Sequence, residues 1–101
     1  MIKISLKKDK DIITSIEISG HSGYNEAGSD IVCASVSSIC ITTVNAIVRL
    51  DSNAIDYKET DGYLKVDIKN HNKVIDILVL NMVELLYELA NDYKSYIKIE
   101  K

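Results

Sequence analysis

Two side chains suited to nucleophilic chemistry lie close together in this sequence: His21, one of its two histidines, and Cys33, one of its two cysteines. They flank one glycine-containing stretch, residues 21–29, in the segment GHSGYNEAGSDIVCASVSS that runs over residues 20–38. A thiolate, not a thiol, attacks a carbonyl carbon, and an unperturbed cysteine with a pKa of roughly 8.5 is mostly protonated at neutral pH. A cysteine in the first turn of a helix faces unpaired N–H groups and the positive end of the helix dipole, both of which favour the anion. The same N–H groups suit the oxyanion of a tetrahedral intermediate. A histidine in reach takes the thiol proton and returns it to a leaving amine. His21 and Cys33 are therefore read as base and nucleophile. The plainer reading of Cys33 is a small buried hydrophobe, as most free cysteines are.

The elements around them are legible from periodicity. Ile2, Ile4 and Leu6 alternate with Lys3, Ser5 and Lys7 as a half-buried strand. Ile12, Thr14, Ile16 and Ile18 alternate with Ile13, Ser15, Glu17 and Ser19 as a second strand, paired with the first as a hairpin and delivering Gly20 and His21 to the sheet's end. A helix is expected over residues 30–50, capped by Ser29 or Asp30, with Val32, Val36, Ile39, Thr43, Ile47 and Leu50 on one stripe. Its other side is also uncharged, so it is expected to be buried on more than one face, with a twofold partner as the use for what remains. A second hairpin is expected from strands over residues 54–58 and 63–68. A second helix follows over residues 72–91 with the core stripe Ile75, Leu78, Met82, Leu85 and Leu89, and a last strand carries Ile97 and Ile99. The fold class is α+β: a two-layer domain, mostly antiparallel sheet of about five strands in the order ββαββαβ, with two helices packed on it.

Composition narrows the rest. A chain of 101 residues is one domain, residues 1–101. A net charge of −3 speaks against a nucleic-acid binder, which needs a basic face to neutralise phosphates. The alternating N-terminus is not a signal peptide, and the serines, threonines and asparagine in the uncharged run over residues 31–48 speak for a buried helix rather than a membrane span. Two cysteines without a secretory signal point to reduced thiols in the cytoplasm. Cys33 and Cys40 would lie about 10 Å apart along a helix, too far for a disulfide. No metal is expected, because neither C-x-x-C nor H-x-x-x-H spacing occurs. Gly20, Gly23 and Gly28 match no phosphate-loop pattern and are read as positions of positive φ or loop mobility. Asp30 has three open roles: helix cap, orienter of His21, or acceptor for a substrate amide. Ser37, one turn beyond Cys33, either lines the site or bonds back to its own helix.

Gly20-His21, Tyr24, Gly28, Asp30-Ile31-Val32-Cys33-Ala34 and Val36-Ser37, followed by Thr43-Val44-Asn45-Ala46, resemble the ribosomal-processing cysteine protease family, Prp. The resemblance spans the whole chain in length and element order. It implies a small cytoplasmic homodimer, without cofactor, that removes an N-terminal extension from a precursor of a large-subunit ribosomal protein. It further implies Cys33 as nucleophile and His21 as general base, with Gly20, Asp30 and Ser37 supporting the site and the loop after His21 ordered by substrate. The loop interior, Ser22-Gly23 and Asn25-Glu26-Ala27, is the least constraining part of the match. Two alternatives stand beside it: a non-enzymatic ribosome-associated module that binds the same tail, and a redox sensor built on Cys33.

Overall fold

The structure, a computed structural model, describes residues 1–26 and 28–100; of the expected loop, Ala27 lies outside the described residues, as does Lys101. The elements are β1 (Ile2–Asp9), β2 (Ile12–Ser19), α1 (Ile31–Leu50), β3 (Ile55–Thr60), β4 (Tyr63–Ile68), α2 (Lys73–Asp92) and β5 (Ile97–Glu100). The ββαββαβ order and the two-layer class agree with the periodicity. The strands form one sheet in the order β3-β4-β2-β1-β5. All neighbours are antiparallel except β5, which runs parallel to β1 with Ile2 opposite Ile97. Parallel neighbours need a crossover, and α2 supplies it.

One face of the sheet is dry. Ile2, Ile4 and Leu6 of β1, Ile16 and Ile18 of β2, and Leu64, Val66 and Ile68 of β4 point to the helices, while Lys3 and Lys7 face water. The strict alternation expected along β2 breaks at its start. Lys7 pairs with Ser15 and Lys8 with Ile13, so Thr14 is an extra residue in β2. This β-bulge reverses the parity of the strand before it. Ile13 is therefore buried and Ile12 is 46% exposed, the reverse of the expected phase.

α1 packs against α2 and β3. Its buried residues are Val32, Val36, Cys40, Thr43, Val44 and Ile47. Leu50, expected on the stripe, is 57% exposed at the last position of the helix. By length and composition α1 would suit a membrane span, with a mean hydropathy of 2.0, yet in the fold its apolar stripe belongs to the core shared with the sheet. α2 buries Ile75, Val79, Met82, Val83 and Leu86. Leu78 and Leu89 are half-buried at the edge of that stripe and Leu85 is 40% exposed. α2 is apolar on most of its circumference, so helical spacing alone does not choose the buried face; contact with α1, β2 and β5 does. Val74, Ile77 and Leu80 remain exposed as a result.

Candidate active site

β2 ends at Ser19, and the Gly20 amide donates to the Gly62 carbonyl at 2.9 Å, carrying the β2–β4 ladder one step further. Gly20 has φ +93°, and a Cβ there would stand 2.5 Å from the Met1 carbonyl oxygen. Only glycine fits this close approach at that backbone angle. The turn it makes sends His21 toward the β3–β4 hairpin. There the imidazole lies against Gly62, and its Nε2 stands 4.0 Å from Asp61 Oδ2. Asp61 is beyond hydrogen-bond reach of the ring. Asp30 does not orient His21 either; its carboxylate bonds to its own helix and to the loop at Ser22.

Asp30 is the N-cap of α1. One carboxylate oxygen accepts from the amides of Val32 at 3.0 Å and Cys33 at 2.9 Å, and the other accepts from the Ser22 hydroxyl. The Ser22 bond first, and the Cys33 amide second, hold the Asp30 carboxyl down to about 2. The capping role is the one observed of the three left open by the sequence. It also corrects the expectation for the oxyanion. The amides of Val32 and Cys33 are taken by the cap and that of Ala34 by the Asp30 carbonyl, so these first-turn donors are not free. The amide that faces the sulfur belongs to Ser22, which donates to Cys33 Sγ at 3.4 Å.

Cys33 is half-buried in the first turn, and it lines a cleft of about 450 Å³ together with His21, Gly20 and Ser37. The floor is Ile2, Ile18, Val36 and Leu64; the far wall is the β3–β4 turn, Glu59 to Tyr63. Four of the residues singled out in the sequence thus meet at one opening, with Asp30 behind it. Among the described residues no hydrogen bond joins the His21 ring to the sulfur; the two face the same open volume. Ser35 and Thr43 bond back to the carbonyls of their own helix, whereas Ser37 faces the cleft. Two groups of residues escape the sequence reading: Ser22, which falls in the least constraining part of the resemblance, and the Asp61-Gly62 turn, far away in sequence. Adjacency to His21 and to a cap-forming aspartate was the available signal for Ser22.

The loop is held down at Tyr24. Its amide donates to Ser22 Oγ at 3.0 Å, and its ring meets Tyr93 and Tyr96 edge-on with centroids 5.8 and 5.2 Å away. Gly23 and Gly28 take positive φ, as expected. Cys40, by contrast, is fully buried, and burial first, then the negative charge of Glu59, pushes its thiol up to about 12. Native protein should therefore take one equivalent of iodoacetamide, on Cys33, at neutral pH, and a second only in denaturant. Peptide mapping by mass spectrometry checks this, and native labelling of Cys40 would contradict it.

A cysteine in a helix's first turn that shares an open cleft with a histidine is the arrangement of a thiol hydrolase. The family model described as Cysteine protease Prp matches residues 1–98, and the chain belongs to that family. It is a cysteine protease. The Ribosomal processing cysteine protease Prp of Bacillus subtilis is 29% identical over 108 residues, covering 98% of this chain and 96% of the relative. A crystal structure of the essential ribosomal processing protease Prp from Staphylococcus aureus with a covalently linked product peptide superposes with a TM-score of 0.91 at 27% identity, over 99% of this chain and 98% of that one. The same S. aureus protease with a substrate peptide gives a TM-score of 0.86 at 26% identity, with the same coverage.

Proposed function

We propose that this protein is a ribosomal-processing endopeptidase that removes an N-terminal extension from a precursor of a large-subunit ribosomal protein by Cys-His acyl transfer. The observation that carries the mechanism is the cleft shared by Cys33 and His21. Cys33 thiolate adds to the scissile carbonyl carbon, giving a tetrahedral intermediate. Its collapse breaks the C–N bond, and His21, holding the thiol proton, gives that proton to the departing amine. Water then adds to the thioester with His21 as base, and the acid product leaves as the thiol re-forms. Gly20 supports the site by turning the chain toward the hairpin, Asp30 by capping the helix that presents the sulfur, and Ser37 by lining the cleft one turn deeper.

Support for a ribosomal substrate comes from relatives that are ribosomal processing proteases, one of which holds a substrate or a product peptide in the same fold. The large-subunit precursor and its N-terminal extension follow from the resemblance carried by the residues around His21 and Cys33. An acidic chain of net charge −3 suits a basic ribosomal tail. The protein acts in the cytoplasm as a homodimer, for which the exposed apolar side chains Ile41 and Val48 of α1 and Val74, Ile77 and Leu80 of α2 offer a surface.

The test is incubation of the N-terminally extended ribosomal protein from the same organism with wild type and with Cys33→Ala. Wild type should release the extension and Cys33→Ala should bind the precursor without cutting it. A wild type that binds and never cuts would favour the non-enzymatic module instead.

A further inference from the structure

We propose that Ser22 is a positioning residue for the Cys33 sulfur, joining the start of the loop to the start of α1 through a closed ring of hydrogen bonds. The ring runs from the Cys33 amide to Asp30 at 2.9 Å, from Asp30 to the Ser22 hydroxyl, and from the Ser22 amide back to Cys33 Sγ at 3.4 Å. The hydroxyl is used twice, donating to the carboxylate and accepting the Tyr24 amide at 3.0 Å. Ser22 is only 4% exposed, although Gly20, His21, Gly23 and Tyr24 around it are all open to solvent. A polar residue buried alone in an exposed loop, with its amide and its hydroxyl both matched, holds one backbone orientation.

That orientation matters because of what the helix end lacks. The Asp30 carboxylate occupies the amides of Val32 and Cys33, and it places negative charge one turn before the sulfur. Both effects oppose a thiolate. An N–H aimed at the sulfur acts in the other direction, since a donor favours the charged form. Within the ring, Ser22 engages the carboxylate with its hydroxyl and the sulfur with its amide. Alanine would keep the amide and lose the tether that aims it.

The inference rests on Cys33 being the nucleophile, but its readout does not need cleavage. Ser22→Ala and Ser22→Thr, in the intact chain, are reacted with iodoacetamide from pH 5 to 9, and the label on Cys33 is followed by mass spectrometry. A donor lost from a charged acceptor corresponds to roughly a tenfold change. In Ser22→Ala the pH of half-maximal alkylation should move up by about one unit, with kcat on a junction peptide down about tenfold and KM little changed. Ser22→Thr, which retains the hydroxyl, should restore both. A Ser22→Ala protein that loses thermal stability but alkylates with the wild-type profile makes the serine merely structural and overturns the proposal. Should Ser22→Ala not fold, Ser22→Gly takes its place, since it too keeps the amide and loses the hydroxyl without touching the Asp30 charge, and a wild-type profile there overturns it equally. If Cys33→Ala still cleaves, the protease reading falls while the alkylation profile continues to judge Ser22.

Discussion

His21→Ala is expected to lower kcat on a junction peptide by about 10²- to 10⁴-fold, the span that a single general acid–base group supplies, with KM nearly unchanged. The ring lines the cleft on the side opposite the buried core and is 64% exposed, so its removal leaves no cavity and the fold should melt as wild type does. The loss is then a loss of transition-state stabilisation, which appears in kcat and not in binding. Added imidazole should recover part of the rate, because the space left by the side chain opens to solvent. Two outcomes would count against the base assignment: a variant that retains a third or more of the wild-type rate, or one whose deficit lies wholly in KM.

The contrast with Cys33 is instructive. Replacing the sulfur by Cys33→Ser changes little in volume, yet serine ionises far less readily than cysteine. The Asp30 carboxylate in the ring around position 33, held down to about 2 first by the Ser22 bond, is too weak a base to take its proton. Two members that act as a unit give non-additive losses. His21→Ala combined with Cys33→Ser should thus be no slower than Cys33→Ser alone.

Much of this arrangement could be read from residue order because it is local. A strand that ends in glycine, a short loop, an aspartate at a cap position and a cysteine in the next turn are all neighbours in the chain, and the cap geometry follows from the side chain of Asp30. Alternation likewise located β1, β4 and β5. What escaped the sequence depends on pairings between distant segments. The β2–β4 ladder sets Ser19 opposite Tyr63 and so brings the Asp61-Gly62 turn beside His21; no periodicity along β2 or β4 states which strand will be its neighbour. The bulge at Thr14 is visible only in the register with β1. For α2 the difficulty is an excess of apolar residues: two stripes, one through Leu85 and one through Val79 and Leu86, fit helical spacing equally, and the second is the one that meets α1. The occupied amides at the start of α1 show a third cause. A helix end and an aspartate were each recognised, but their combination removes donors that the helix end alone would offer.

Two glycines beside His21 should respond to alanine in opposite ways. At Gly20 the new Cβ would stand 2.5 Å from the Met1 carbonyl oxygen, and φ is +93°. The obstacle is backbone of β1's lead-in, held by the Ile2 amide's bond to the Tyr96 carbonyl at 2.8 Å, so it cannot swing aside. Left-handed strain of about 1–2 kcal/mol and an overpacking cost of about 1–3 kcal/mol act together. Gly20→Ala should therefore lose about 2–5 kcal/mol, a large part of the roughly 5–15 kcal/mol that holds a domain of this kind. A fall in Tm of at least about 10 °C is expected by calorimetry. At Gly62 the new Cβ would meet His21 Nε2 at 2.8 Å with φ +71°, but the obstacle there is the tip of an exposed side chain that is free to rotate. Gly62→Ala should cost only the backbone strain, about 1–2 kcal/mol, and displace the imidazole from its place in the cleft. Its kcat should fall tenfold or more on the scale by which misplaced groups slow a reaction. A Gly20→Ala protein that melts within a few degrees of wild type would refute the close approach to Met1, and a Gly62→Ala protein of full activity would show that the ring's rest against the hairpin has no part in turnover.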